Sequence, residues 1–191
     1  MNIILLRHGE TDWNRAERLQ GHTDIPLNQN GRLQIGQAAE ILAVKYPDIH
    51  LIITSPLQRA RESAEIVAAQ LGYAKSGIKI EPLLTERCFG VGEGLTASER
   101  KKKYPDDIYP GMESYEDLVK RAGAAFEKIV TAFYDRQNIL VAAHGALLYA
   151  MLTAITHGEI VYGGKEFKFE PGSIHVIKYL DGAVFVNREN R

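Results

Sequence analysis

Short aliphatic runs alternate along this chain with longer segments in which apolar residues recur every three or four positions. Continuous apolar runs are typical of strands buried on both faces, and the longer spacing is typical of amphipathic helices. The pattern predicts strands at 3–6, 51–53, 78–80, 139–142 and 174–177, and helices at 32–45, 59–71, 114–134 and 146–155. We therefore expect an α/β fold, a three-layer sandwich whose mostly parallel central sheet has helices on both faces.

The C-terminal end of the chain has a different pattern. Val184 and Val186 alternate with Phe185 and Asn187 after the turn signal Asp181-Gly182, which predicts a final hairpin strand, antiparallel at the sheet edge. An apolar edge is compatible with a homodimer, although charge or a covering loop also protects such edges. The oligomeric state stays open at this point.

Composition limits the classes of protein to consider. The chain has 191 residues, 45% of them hydrophobic, which suits a single domain spanning 1–191. Its formal net charge is −1 and it has no long basic stripe, so we expect no nucleic-acid partner and favour a small substrate.

The cellular setting follows from two further features. The first apolar run covers only residues 3–6 before Arg7, too short for a signal peptide or a membrane span. The only cysteine, Cys88, cannot form an internal disulfide, which suits a reducing compartment. We expect a cytoplasmic protein with no membrane partner.

Basic and imidazole side chains follow three of the predicted strands. Arg7 and His8 come after the first, Arg59 after the second, and His144 after the fourth. The carboxyl ends of parallel strands meet at one edge of a sheet, where ligands bind. A single histidine after a strand is more often structural, but two His-Gly pairs at strand ends favour function. The predicted cluster would bind an anion.

The chemistry of such a cluster suits phosphoryl transfer. An imidazole near two arginines should have a lowered pKa, so we expect a neutral, nucleophilic His8. Arg7 and Arg59 are suited to hold the nonbridging oxygens of a phosphoryl group, because a guanidinium presents a planar fork of donors. We expect His144 to be charged in that role.

A leaving alkoxide also needs a proton from a carboxyl group near the cluster. Glu86 and Glu93 both lie in a turn-rich segment after the third predicted strand, and we prefer Glu86. The residues alone do not separate the two, because a solvated loop carboxylate is the ordinary interpretation of either.

Metal and cofactor motifs are not indicated. Gly90, Gly92 and Gly94 do not have the spacing of a dinucleotide-binding loop, and the six histidines form no compact metal-ligand pattern. We expect neither a metal nor a cofactor.

Several motifs in order along the chain resemble the histidine phosphatase superfamily, which has the phosphoglycerate mutase-like fold. They are Leu6-Arg7-His8-Gly9-Glu10-Thr11 with Asn14, Gln20-Gly21, Asp24-Ile25-Pro26-Leu27-Asn28 with Gly31, Ser55-Pro56-Leu57 with Arg59-Ala60, Leu84 with Glu86, Phe89-Gly90, Glu93-Gly94 and Ala143-His144-Gly145. The resemblance implies a metal-independent phosphatase for small phosphorylated metabolites with a phosphohistidine intermediate.

The resemblance also implies a role for each site residue. His8 is then the phosphorylated nucleophile and Glu86 the proton donor, and the phosphoryl group is bound by Arg7, Asn14, Arg59 and His144. Gln20, Gly21 and Thr23 are placed at the pocket. We expect its rim to include Phe89, Tyr104 and Tyr109, with a contribution from residues 157–169.

One position departs from the family pattern. The family usually has an aromatic residue, most often Trp, where this chain has Gly92. We therefore expect the loop around Glu86 to be more mobile or to pack differently.

Alternative functions within this resemblance are a phosphoglycerate mutase, a sugar bisphosphatase and an α-ribazole phosphatase. A mutase is disfavoured because residues 96–113 are short and contain no Arg-Arg pair. A phospholigand-binding module without catalysis is a further alternative, but it would not require His8, Glu86 and His144 together.

Overall fold

The computed structural model describes residues 1–160, 168–180 and 182–186. Within these residues one sheet has six strands, numbered along the chain: β1 (Asn2–Arg7), β2 (Leu51–Thr54), β3 (Lys79–Ile80), β4 (Asn138–Ala143), β5 (Ile174–Leu180) and β6 (Ala183–Val186). Their order across the sheet is β3-β2-β4-β1-β5-β6. The first four strands are mutually parallel, whereas β5 and β6 run antiparallel. The expected mostly parallel sheet with an antiparallel edge is confirmed.

Helices cover both faces of the sheet. In the described residues they are α1 (Asp12–Arg15), α2 (Gln29–Lys45), α3 (Gln58–Gln70), α4 (Ala97–Lys103), α5 (Tyr115–Ala132) and α6 (Gly145–Ile155). One apolar core lies between the sheet and α5 and α6, and a second lies between the sheet and α2 and α3. The predicted three-layer arrangement is therefore confirmed. None of the described helices combines the length and apolarity that crossing a membrane requires.

Capping residues explain where the helices begin. The Asn28 side chain accepts a hydrogen bond from the Gly31 N–H at 2.8 Å, so α2 begins three residues before the predicted start. The Ser114 side chain accepts from the Asp117 N–H in the same way, which places Ser114 just outside α5. Helix α1 was not predicted, because its four residues are too few to show a period.

The strands differ in burial, and one of them departs from the buried pattern that the sequence predicted. β2 and β4 are almost entirely buried, since they lie inside the sheet with helices on both faces. The third strand is shorter than predicted and exposed. Asp181 and Asn187 of the predicted hairpin, and residues 161–167 of the predicted rim, lie outside the described residues.

Candidate active site

The ends of β1, β2 and β4 lie side by side. Arg7, the last residue of β1, pairs in register with Ala143, the last residue of β4. Beyond these ends the His8 N–H donates to the Ala143 carbonyl at 3.0 Å, and the Ser55 N–H donates to the Ala142 carbonyl at 3.1 Å. These bonds fix the positions at which the functional side chains leave the sheet.

A cavity of about 170 Å³ lies at this edge of the sheet. Among the residues predicted for the site, its walls contain Arg7, His8, Asn14, Gln20, Gly21, Arg59, Glu86 and Phe89. The sequence analysis did not predict the remaining lining residues, which are Arg18, Leu19, Gly145, Ala146 and Tyr149. The predicted cluster at the strand ends therefore forms a real concavity.

The His8 ring is held in one tautomer. His8 is only 2% exposed, and its Nδ1 lies 2.7 Å from the Gly9 carbonyl oxygen. A carbonyl oxygen only accepts, so Nδ1 carries the hydrogen and the neutral ring keeps its lone pair on Nε2. Burial, together with the positive charges of Arg59 and Arg7, lowers the pKa of His8 well below its ordinary value. The neutral form of the ring is thus favoured, with a lone pair available at Nε2.

Two glycines, Gly9 and Gly145, lie beside the site, and close packing requires glycine at the first of them. A Cβ on Gly9 would lie 2.3 Å from the Gly31 carbonyl oxygen, so Gly9 is required by backbone packing. Gly145 lines the cavity, and a Cβ there would lie 3.4 Å from the Arg7 guanidinium carbon. Glycine is therefore required at position 9, where the chain packs against the first turn of α2, whereas a Cβ on Gly145 would make only an ordinary van der Waals contact with Arg7.

Arg59 is a fixed, fully buried cation. Its two terminal nitrogens donate to the carbonyl oxygens of Thr23 at 3.0 Å and Gly21 at 2.8 Å. Its Nε is buried and has no hydrogen-bond partner among the described residues. Burial lowers the pKa of Arg59 to about 10, against the opposing effect of Glu86, so the side chain is charged at neutral pH.

Asn14 and Gln20 offer amide groups to the cavity. The Asn14 Oδ1 accepts from the Thr11 N–H at 3.1 Å, and the Gln20 Oε1 accepts from the Thr11 hydroxyl at 2.8 Å. Because both amide oxygens are engaged, the NH₂ groups are the parts of these side chains that suit an anion.

His144 does not line the cavity; it lies behind His8. The two ring centroids are 5.2 Å apart, and the His144 Nε2 is 2.7 Å from the Ser55 hydroxyl oxygen. Burial, followed by the charge of Arg59, lowers the pKa of His144 well below its ordinary value. These effects oppose the charged form that the sequence analysis expected for His144.

Glu86 lines the cavity, and its carboxyl group lies at the N-terminus of α6. Its carboxylate accepts hydrogen bonds from the N–H groups of Leu147 at 3.0 Å, Ala146 at 3.3 Å and Arg87 at 2.9 Å. These three bonds fix the position of the carboxyl group. Glu86 therefore lies where a proton donor to a bound ester would be needed.

The alternative acid, Glu93, has a structural position. Its carboxylate accepts from the N–H groups of His22, Phe89 and Thr23 and from the Thr23 hydroxyl, at 2.5 to 3.1 Å. Burial alone would raise the pKa of Glu93, but these hydrogen bonds hold it below its ordinary value. The Thr23 side chain is thus engaged with Glu93. The sequence analysis placed Thr23 at the pocket, but it does not line the cavity.

The ring of Tyr109 packs directly against Gly92. A Cβ on Gly92 would lie 2.7 Å from carbons of the Tyr109 ring, and Tyr109 is 4% exposed. The Tyr109 hydroxyl contacts Asp107 and Arg100, and Tyr104 packs edge-on against its ring. Tyr109 thus occupies the space that a side chain at position 92 would need. Tyr104 and Tyr109, however, support the loop from behind and do not line the cavity.

Arg121 on α5 anchors the segment that carries the acid. Its guanidinium donates to the carbonyl oxygens of Leu83 at 2.8 Å, Thr85 at 2.7 Å and Glu86 at 3.3 Å. It also forms a salt bridge with Glu113 at 2.8 Å. The sequence analysis did not predict this residue, although it fixes the backbone on either side of the acid.

The part of the chain that the structure describes contains no group of three or more His, Cys, Asp or Glu side chains arranged to hold a metal ion. The charges that face the cavity come instead from Arg7, Arg18, Arg59 and Glu86. This arrangement suits the binding of an anion through guanidinium groups.

Comparison with known proteins identifies the family. Residues 3–191 match the family model described as the histidine phosphatase superfamily (branch 1). The chain is 42% identical to the uncharacterized phosphatase PhoE of Bacillus subtilis, over 82% of this chain and 78% of that protein. It is 37% identical to the probable phosphoglycerate mutase GpmB of Photorhabdus laumondii, over 81% and 74% of the respective chains.

Solved structures agree with the sequence matches. Bacillus stearothermophilus YhfR superposes with a TM-score of 0.87 at 26% identity, covering 99% of this chain and 96% of that one. On this combined sequence and structural likeness, the chain belongs to the histidine phosphatase superfamily, branch 1.

Proposed function

We propose that the protein is a metal-independent phosphatase that hydrolyses small phosphomonoesters through a phosphohistidine formed at the Nε2 atom of His8. One observation carries the proposal: a buried, neutral imidazole with its lone pair on Nε2 lies in the same cavity as Arg7, Arg59 and Glu86. These groups supply the nucleophile, the oxygen-binding cations and the acid that the reaction needs.

The first half of the reaction transfers the phosphoryl group to the protein. The His8 Nε2 lone pair forms an N–P bond while the ester P–O bond breaks, and Glu86 gives its proton to the leaving oxygen. Arg7 and Arg59 bind the nonbridging oxygens, where negative charge is spread in the transition state. Each hydrogen bond to a charged oxygen contributes roughly 1.5–3 kcal/mol, so a few fixed donors stabilise the transition state substantially.

The second half releases phosphate. Glu86, now a carboxylate, takes a proton from water, whose oxygen attacks phosphorus as the N–P bond to His8 breaks. The proton returns Glu86 to its acid form and the lone pair returns to Nε2. The same fixed cations act on both displacements, so no rearrangement of the site is required between them.

Hydrolysis is favoured over mutase activity by the segment between residues 96 and 113. This segment forms α4, and its Tyr109 packs against Gly92. None of its residues lines the cavity. A mutase must retain its released intermediate, which requires a more enclosed pocket with further substrate contacts. Mutase activity should nevertheless be measured, because one of the relatives is named a probable phosphoglycerate mutase.

The test is a phosphatase assay with an aryl phosphate in the presence and absence of a chelator. We expect equal hydrolysis in both conditions and an acid-labile phosphoenzyme after rapid quench. His8→Ala should abolish the phosphoenzyme, whereas His50→Ala, which alters an exposed histidine, should leave it intact. A phosphoenzyme that persists in His8→Ala would place the nucleophile elsewhere, and dependence on a metal would contradict the proposal.

Two further assays separate the alternatives. Conversion of 3-phosphoglycerate to 2-phosphoglycerate faster than release of phosphate would establish a mutase instead. Binding of inorganic phosphate without turnover of any ester would establish a binding module. A screen of phosphorylated metabolites, including sugar bisphosphates and α-ribazole phosphate, would then identify the substrate. The cytoplasmic location, the absence of nucleic-acid and membrane partners, the possible homodimer and the single domain remain predictions.

A further inference from the structure

Ser55 occupies a fully buried position directly after β2. Its hydroxyl oxygen lies 2.7 Å from the Nε2 of His144 and accepts a hydrogen bond from the Leu57 N–H at 3.3 Å. Its backbone is fixed by the bond from its N–H to Ala142. The hydroxyl is therefore held at the Nε2 edge of the His144 ring by contacts on both sides of the residue.

The number of hydrogens and lone pairs decides the direction of the Ser55–His144 bond. A serine hydroxyl has one hydrogen to donate and two lone pairs, one of which receives the Leu57 N–H. In the described structure, the only acceptor within reach of the hydroxyl hydrogen is the His144 Nε2. A bond in the opposite direction would leave a buried hydroxyl without an acceptor, which costs roughly 1–3 kcal/mol.

We propose that Ser55 is a positioning residue that donates to the Nε2 of His144 and thereby keeps the hydrogen of the neutral ring on Nδ1. The Nδ1 atom is buried and has no hydrogen-bond partner among the described residues. This donor would serve an anion bound at His8, whose ring lies 5.2 Å from that of His144 between centroids. The other tautomer would present a lone pair to the anion and repel it.

The environment of His144 supports a neutral ring before the anion binds. Arg59, His8, Arg7 and Arg121 are the charged or titratable groups that act on it, and together with burial they lower its pKa. A neutral histidine has two tautomers, and the one present is set by the partner of the other nitrogen. Ser55 supplies that partner, so its hydroxyl decides which ring nitrogen of His144 can donate.

The first test is a nuclear magnetic resonance measurement on the unliganded, full-length protein with ¹⁵N-labelled histidine. We expect the His144 resonances, assigned by their loss in His144→Gln, to show a protonated Nδ1 and an unprotonated Nε2. Ser55→Ala should move the hydrogen to Nε2 in part or in full, and Ser55→Thr, which keeps the hydroxyl, should retain the wild-type tautomer.

Ser63→Ala provides the matched control, because it also removes a buried hydroxyl beside the site. The Ser63 hydroxyl contacts Gly9 and Arg59 but not His144, so the His144 tautomer should not change. A wild-type protein with its hydrogen on Nε2 would overturn the proposal even if no variant folds. An unchanged tautomer in folded Ser55→Ala would overturn it as well.

The second test measures binding of inorganic phosphate by titration calorimetry. Loss of one hydrogen bond to a charged oxygen should weaken binding to Ser55→Ala about tenfold to a hundredfold, with near wild-type affinity in Ser55→Thr. Equal affinity of wild type and Ser55→Ala would contradict the link between the tautomer and anion binding. The inference rests on the proposed function only for this link, because the tautomer itself is measured without substrate or turnover.

Discussion

The imidazole rings of His8 and His144 lie 5.2 Å apart between centroids, and both are buried among arginine side chains. The arginines that would bind a phosphoryl group in the proposed function also favour the neutral form of both rings. A cation on either ring would be opposed by burial and by Arg59. This relationship determines how activity and stability depend on pH.

Activity should tolerate mild acid. The active form of His8 is neutral, and its lowered pKa means that this form persists below pH 6.5, the ordinary value for histidine. We expect kcat/KM for an activated aryl phosphate to decline on the acid side only below pH 6.5. The substrate's own ionisation should be titrated separately and its effect removed. A decline centred above pH 6.5 would show that the His8 pKa is raised.

Stability should fall in acid for the same reason. Below pH 6.5 the unfolded chain binds protons at His8 and His144 that the folded protein does not bind, so the free energy of unfolding decreases as the pH falls. His175 contributes in the same direction. Urea unfolding between pH 7.5 and 5 should show a shallower pH slope for His144→Gln than for wild type. The exposed His50→Gln should leave the slope unchanged.

Glu86→Gln should separate acid catalysis from binding. The variant keeps an amide oxygen to accept from the α6 N-terminus but cannot supply a proton to the leaving group. We expect turnover to fall by about 10²–10⁴ for alkyl phosphates and much less for activated aryl phosphates. An equal loss for both substrate classes would show that Glu86 is not the acid.

Glu93→Gln is the matched comparison, because the carboxylate of Glu93 is engaged by four donors and does not face the cavity. It should destabilise the loop and lower turnover for both substrate classes to a similar degree. A selective loss for alkyl phosphates in this variant would move the acid to Glu93.

The Gly92–Tyr109 contact predicts a dependence between two positions. Gly92→Trp alone should be strongly destabilising, because its side chain would occupy the space of the Tyr109 ring. Tyr109→Ala alone should cost about 3–5 kcal/mol for a lost buried aromatic ring. Combining the two should destabilise less than the sum of the single changes, since the indole can fill the vacated space. Chemical denaturation of all four proteins measures this coupling, and simple additivity would contradict it.

The sequence predicted the position of the site because that position depends on local features. Arg7 ends β1, His8 and His144 directly follow β1 and β4, and parallel strands bring their ends together. Helix bounds were off by up to three residues where a cap lay outside the apolar period, as at Asn28. These elements depend on residues close together in the chain.

Contacts between distant segments were beyond the reach of the sequence pattern. Three such contacts join separate segments of the chain: the Ser55–His144 hydrogen bond, the packing of Tyr109 against Gly92, and the bonds from Arg59 to carbonyl oxygens. Their geometry is set by how the helices and loops pack, which no spacing of residue types encodes. The choice between Glu86 and Glu93 depended on the same packing.

Arg121 had a detectable signal in the sequence. It falls between Leu118 and Ala125 at helical spacing, on the face of α5 that is otherwise buried and apolar. A charged residue on such a face must be paired or hydrogen-bonded, since an unpartnered buried charge is costly. Its partners are the acid segment and Glu113.

Arg121→Met should therefore lower both stability and catalysis. The change leaves the carbonyls of Leu83 and Thr85 without their donor and leaves Glu113 without its ion-pair partner, a loss of about 3–5 kcal/mol in the free energy of unfolding. Because the Glu86 backbone loses its support, turnover of alkyl phosphates should fall more than turnover of aryl phosphates.

Lys120→Met is the control on the same helix. Lys120 pairs with Glu116 on the exposed surface, so its replacement should leave the free energy of unfolding and turnover nearly unchanged. Denaturation and steady-state assays of both variants decide the matter. If Arg121→Met is destabilised but hydrolyses both substrate classes at wild-type rates, the position of Glu86 does not depend on Arg121, and the α6 N-terminus alone holds the acid.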